Sequence, residues 1–207
     1  MPHRASTRPP PTVLQTGQPA PLFSLHDADM EPVALVKFRG KKNVVLYFYP
    51  RDGTPGCTLQ ATDFSDHEDD FARYDTVVLG VSPDDCLCHA EFSEANGVSI
   101  RLLADTECEV CAMYGVLENS SDARKSGAST AGDACKDGAD VAGAARGGGG
   151  NGGGNGNGGG NGARPGRGIT RATFIIDKRG VVRHALYNVN PRGHAMGVLS
   201  LVKAMRA

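Results

Sequence analysis

The chain has 207 residues, with 22 Lys+Arg against 23 Asp+Glu and a formal net charge of -1. That length suits one compact domain plus extras, because a single core serves about 100–200 residues. The near-neutral balance offers no broad positive field to gather a polyanion, which argues against nucleic acid as a main partner.

Residues 1–17 carry Arg4, Arg8 and the run Pro9-Pro10-Pro11. They lack the apolar stretch of roughly 7–15 residues that a secretory signal needs, so they read as a flexible tail. No later run approaches the roughly 20 apolar residues that span a bilayer. The expectation is therefore a soluble cytoplasmic protein with no membrane partner. Six cysteines in a chain long enough to fold without staples point to chemistry, metal or core packing.

Downstream, the runs 23–25 and 33–35 around Asp27-Ala28-Asp29 predict a hairpin. The β-branched runs 44–49, 76–81 and 172–176 predict buried strands, and 181–189 a further strand after the turn Lys178-Arg179-Gly180. Segments 59–74, 89–96, 110–116 and 195–205 predict helices; in the last, Val198, Leu201, Val202 and Met205 line one face. Strands interleaved with helices imply a mixed central sheet covered on both sides, an α/β sandwich. Between the strand runs 76–81 and 172–176, the stretch 147–162 contains only Gly and Asn. Such a stretch has nothing to bury and much entropy to lose, so 121–168 reads as a disordered low-complexity insertion into a domain spanning 18–207. Its closure cost grows only logarithmically with length, so both flanks can belong to one fold.

The chemistry is concentrated where the strand 44–49 runs into Pro50-Arg51-Asp52-Gly53-Thr54-Pro55-Gly56-Cys57 and then directly into a helix. Thr54 is a good N-cap residue and Pro55 suits the first helical position. Cys57 then falls at the third helical position, beside free backbone N–H groups and the positive end of the helix dipole. Such a seat favours thiolate, the nucleophilic form.

Pro50, Thr54 and Cys57 match the pattern P-x-x-x-T-x-x-C, and the chain resembles the peroxiredoxins at this point. The string from Tyr47 to Thr58 is similar to the bacterioferritin comigratory protein or peroxiredoxin Q branch. The resemblance extends through Gly80-Val81-Ser82-Pro83-Asp84, Leu102-Leu103-Ala104-Asp105, Tyr114-Gly115-Val116, Arg171 to Asp177 and Val189 to His194. It implies a thioredoxin-like fold, a peroxidatic role for Cys57, and Arg171 as the guanidinium that holds thiolate and peroxide oxygen. It further implies that Thr54 caps the helix and offers its hydroxyl to the substrate, and that Pro50 shields the sulfur. The implied activity is thiol-dependent reduction of hydrogen peroxide and organic hydroperoxides. Electrons would come from thioredoxin or another small dithiol, with no cofactor or metal, in a monomer or weak dimer.

The sequence departs from that branch at the resolving thiol. The two usual positions hold Thr62 and Ser93, which leaves Cys86, Cys88 or an external thiol to take up the sulfenate. Two other readings use the remaining cysteines. Cys86-Leu87-Cys88 and Cys108-Glu109-Val110-Cys111, with His89 adjacent, have the makings of a structural zinc site that would stabilise a binding module. Cys108 and Cys111 also have the spacing of a redox dithiol, which would make the chain a thiol-disulfide oxidoreductase. His194, in the turn before the last helix, reads as structural or as a cap contact.

Overall fold

The structure, a computed structural model, describes residues 13–117 and 168–205. The insertion expected over 121–168 lies outside the described residues except for Gly168, as does the expected tail as far as residue 12. From residue 13 the chain is already engaged: Leu14 is buried, and the Gly17 N–H donates to the Val182 carbonyl over 2.8 Å.

Seven strands form one sheet: β1 Ser24–Asp27, β2 Pro32–Ala34, β3 Asn43–Phe48, β4 Thr76–Ser82, β5 Arg101–Ala104, β6 Ala172–Ile176 and β7 Val182–Tyr187. Their order is β2-β1-β5-β4-β3-β6-β7. The central pairs β3·β4 and β4·β5 are parallel, while β3·β6, β6·β7, β1·β5 and β1·β2 are antiparallel. The sheet is therefore mixed, as expected. β3 lies between β4 and β6, so strands from before and after the Gly/Asn segment share one ladder, with Val44 opposite Ile176 and Phe48 opposite Ala172.

Five helices accompany the sheet: α1 Pro55–Asp66, α2 Glu68–Ala72, α3 Cys86–Asn96, α4 Glu109–Met113 and α5 His194–Ala204. The strand period of two divides the core. Val44, Leu46 and Phe48 of β3 point to one cluster, with Phe23, Leu35, Tyr114, Phe174 and Leu14. Val45, Tyr47 and Tyr49 point to the other, with Phe64 of α1, Phe71 of α2, Phe92 of α3 and Val198 and Val202 of α5. Each fully buried aromatic or aliphatic side chain stabilises the fold by about 1.5–3 kcal/mol relative to exposure. The rings also pack on one another: Tyr47 stacks on Phe64 at 4.8 Å, and Tyr114 meets Phe174 edge-on at 5.1 Å.

Several expected elements differ in extent. The helix expected over 59–74 starts at Pro55 and is broken at His67, whose ψ of 8 leaves the helical basin, so α1 and α2 are separate. The helix expected over 89–96 begins earlier, at Cys86, because the Asp85 carboxylate accepts the Cys88 N–H over 2.8 Å. The strand expected over 181–189 ends at Tyr187, ahead of Asn188 at φ 53. β5, not expected as a strand, pairs with β4 and β1 through a short run whose one exposed position, Arg101, hides its alternation. Among the described residues, no helix is long and apolar enough to cross a membrane.

Candidate active site

β3 ends at Phe48, and the chain passes through Tyr49–Thr54 into α1. Thr54 is the N-cap, with φ -76 and ψ 143, and Pro55 is the first helical residue. Cys57 thus occupies the third helical position, where the sequence places it. One expectation is not met: the Thr54 side chain makes no cap hydrogen bond. The turn is closed by backbone instead, Thr58 N–H to Thr54 carbonyl at 2.9 Å.

Cys57 is buried, with 1% of its surface exposed. Arg171, immediately before β6, enters from the neighbouring strand, because β6 runs antiparallel to β3 and brings its start to the end of β3. Its Nη2 donates to Cys57 Sγ at 3.2 Å and its Nη1 to Gln60 Oε1 at 2.5 Å. A planar guanidinium with five fixed donors can span both groups, which a lysine cannot. Gln60 is fully buried, and its Nε2 has no hydrogen-bond partner. Sequence reasoning missed Gln60; its position one helical turn after Cys57 is the only local signal. Pro191 and Arg171 flank Gly56, each with an atom 3.6 Å from where a Cβ would stand. Pro50 is exposed at the end of the same loop.

A second missed feature holds that loop. Asp52 accepts the Tyr49 hydroxyl at 2.7 Å through one oxygen and His89 Nδ1 at 2.7 Å through the other. The side chains of His89 and Asp52 are 0% and 8% exposed, and His89 Nε2 is buried without a partner. A carboxylate acceptor makes Nδ1 the protonated nitrogen. The Asp52 N–H in turn donates to Asp84 Oδ2, which also accepts from the Ser82 hydroxyl. Burial pushes the Asp84 carboxyl above its ordinary range, against the pull of Ser82. No local pattern links residues 52 and 89; β4 and α3 bring them together.

The other sequence candidates are scattered. Burial pushes the Cys86 thiol up, and the charges of Asp85 and Asp27 push it further. Asp27 closes β1, which is three strand positions from β3, about 14 Å at ordinary strand spacing. Cys88 is disulfide-bonded. Among the described residues, no group of three or more His, Cys, Asp or Glu is gathered as a metal site. His89, placed near the zinc candidates by sequence, is committed to Asp52. His194 Nε2 bonds the Thr173 hydroxyl at 2.9 Å and its ring meets Phe64 edge-on, the structural role expected for it.

This geometry can be set beside known proteins. The AhpC/TSA family profile matches residues 16–185. A putative peroxiredoxin bcp of Helicobacter pylori is 34% identical over 186 residues, covering 90% of this chain and 96% of that one. Peroxiredoxin Bcp of Bacillus subtilis is 42% identical over 103 residues, 50% of this chain and 65% of its own. Among solved structures, PrxQ of Xylella fastidiosa superposes with a TM-score of 0.70 at 22% identity, covering 95% and 99% of the two chains. BcpB of Mycobacterium tuberculosis does so at 0.68 and 24%, covering 94% and 99%. These likenesses show the thioredoxin-like peroxiredoxin fold. A cysteine at the start of a helix, met by an arginine from an adjacent strand, and a family match over most of the chain agree: this chain belongs to the AhpC/TSA family, among the thiol-dependent peroxidases of the Bcp and peroxiredoxin Q branch.

Proposed function

We propose that Cys57 is the peroxidatic cysteine of a hydroperoxide reductase, with Arg171 and Thr54 as its donors to substrate and Pro50 as the shield of the sulfur. The observation that carries the reading is the 3.2 Å bond from Arg171 Nη2 to Cys57 Sγ at the third position of α1. The Cys57 thiolate attacks one oxygen of ROOH. An S–O bond forms, the O–O bond breaks, and RO⁻ leaves to be protonated as ROH. Negative charge moves from sulfur to the leaving oxygen, so fixed donors that already face the sulfur stabilise it without reorganising. The Thr54 hydroxyl is not used as a helix cap and is available to the peroxide.

The sulfenic acid left on Cys57 condenses with a thiol, forming S–S and releasing water. An incoming thiol fits this step best. Burial and the charges of Asp85 and Asp27 hold the Cys86 thiol protonated and Cys88 is already bonded, while Thr62 and Ser93 carry no sulfur. We take the reductant to be thioredoxin or another small dithiol in a cytoplasmic setting. The acting unit is a monomer or weak dimer, since Cys57, Arg171, Gln60 and Thr54 all come from one chain.

Hydroperoxide consumption by Cys57→Ser against the unaltered chain tests the assignment. Loss of activity with Cys57→Ser, and its retention with Cys86→Ser, is the expected result; a Cys57→Ser protein that still consumes peroxide at the original rate ends it. Mass spectrometry of non-reduced protein after one equivalent of peroxide tests the resolving step. A lone sulfenate on Cys57 is expected, and a Cys57–Cys86 linkage would overturn the external thiol.

A further inference from the structure

On the opposite face of the sheet, α4 gathers three groups that the peroxidatic site does not use. Cys57 belongs to the core cluster under α1, whereas Val110, Cys111 and Tyr114 belong to the other cluster. Cys108 is the N-cap of α4 and Cys111 its third residue. The turn between them is closed, with Ala112 N–H to Cys108 carbonyl at 3.0 Å, so the two residues lie one turn apart. They are hydrogen-bonded to one another. Cys108 is half-buried and holds a left-handed backbone, φ 54 and ψ 29, which few residues other than glycine adopt; Cys111 is fully buried.

The third group is Asp105, a carboxylate only 3% exposed. Its two oxygens accept the Val110 N–H at 3.2 Å and the Cys111 N–H at 2.7 Å. The Cys111 thiol lies within hydrogen-bonding range of the same carboxylate. The bond shared with Cys108 is the largest cause that keeps Cys111 protonated, followed by burial and then Asp105. Cys108, half-buried, is the sulfur that an incoming disulfide can reach, whereas Cys111 is enclosed in the core.

We propose that Cys108 and Cys111 form a second redox site, a dithiol that closes to an intrachain disulfide at the expense of a small disulfide such as oxidised glutathione, with Asp105 as its base. Cys108 sulfur attacks RSSR, forming a mixed disulfide and releasing RS⁻. Asp105 then takes the Cys111 proton as Cys111 sulfur attacks Cys108 sulfur, and the second RS⁻ leaves with a proton. The balance is two protein thiols plus RSSR giving one protein disulfide plus two RSH. A disulfide needs Cβ atoms about 3.5–4.5 Å apart, and the two residues stand one turn apart at the end of a five-residue helix, where the chain can adjust to bring them together.

The test uses the full chain carrying Cys57→Ser, so that its outcome is independent of the peroxidatic reading, which hydroperoxide consumption decides separately. Protein equilibrated with glutathione of increasing oxidised fraction is acid-quenched, alkylated, digested without reduction and weighed. The peptide holding Cys108 and Cys111 should lose both alkylation sites and weigh two hydrogens less. Asp105→Asn should slow that closure at least tenfold and accumulate glutathione on Cys108. Both thiols alkylated at a fully oxidising poise would overturn the proposal. So would glutathione stably bound to Cys108 in the Asp105 protein, or closure at an unchanged rate in Asp105→Asn. Because the weighing of the Asp105 protein needs no change at α4, misfolding of the Asn variant would still leave the dithiol decided.

Discussion

Gln60 Oε1 accepts from Arg171 Nη1 over 2.5 Å, and since Gln60 and Cys57 stand one helical turn apart, the same guanidinium reaches the Cys57 sulfur through Nη2. The arginine is held at two points, and one of them is not a reacting group. Removing an aligned donor from a site where charge develops costs about 100-fold or more in rate. Arg171→Gln should lower the second-order rate of hydroperoxide consumption by that order. Gln60→Ala should lower it less, about tenfold, because the donor remains but its aim is relaxed. Equal losses in the two variants would mean that Gln60 does more than orient. Unchanged rates in both would detach Arg171 from the chemistry.

The pair His89–Asp52 ties the loop before Cys57 to α3. Removing one member of a buried hydrogen-bonded pair leaves the other without its partner, at a cost of about 1–3 kcal/mol. His89→Ala should therefore destabilise strongly in urea unfolding. The double variant Asp52→Ala with His89→Ala should lose less than the sum of the single losses. Strict additivity would show that the two side chains do not act together.

The pH dependence of stability has a direction set by His194. Burial holds its imidazole below the ordinary value, with Arg171 pushing the same way and Asp63 opposing. The unfolded chain then binds a proton near the ordinary histidine value of about 6.5 while the folded chain resists it. This contribution is fully present above that value and is lost as pH falls through the folded value. Urea midpoints should drop between pH 7.5 and 5.5, and His194→Gln should flatten that slope. An equally steep slope in the variant would place the effect elsewhere.

Gly80 and Gly56 should respond in opposite ways to alanine. A Cβ at Gly80 would stand 2.7 Å from the Tyr47 ring and 2.8 Å from Leu102, inside a buried strand. Overpacking of this kind costs about 1–3 kcal/mol. At Gly56 the nearest atoms are at 3.6 Å, an ordinary contact. Thermal unfolding should show a clear loss for Gly80→Ala and little change for Gly56→Ala; the reverse order would contradict the packing described.

The sequence by itself determined where the Cys57 sulfur sits. An unbroken apolar strand, the proline at the first helical position and the cysteine two residues later are local signals, and local backbone preferences place Cys57 at the third position of α1. The mixed sheet followed from the interleaving of strand and helix patterns along the chain, and the ordered family motifs led to Arg171. Other features were decided only by the tertiary structure. Gln60 matters because β6 returns antiparallel beside β3 and delivers Arg171 to the same helical turn. Asp52 and His89 meet because β4 and α3 fold over the loop, 37 residues apart in sequence. Cys86, a candidate resolving thiol by its place at the start of α3, is kept protonated by burial and by Asp85 and Asp27, the last of them distant in sequence. Short-range signals report what a residue's neighbours in sequence impose, whereas hydrogen-bond partners across strands and helices depend on register and packing, which no local pattern encodes.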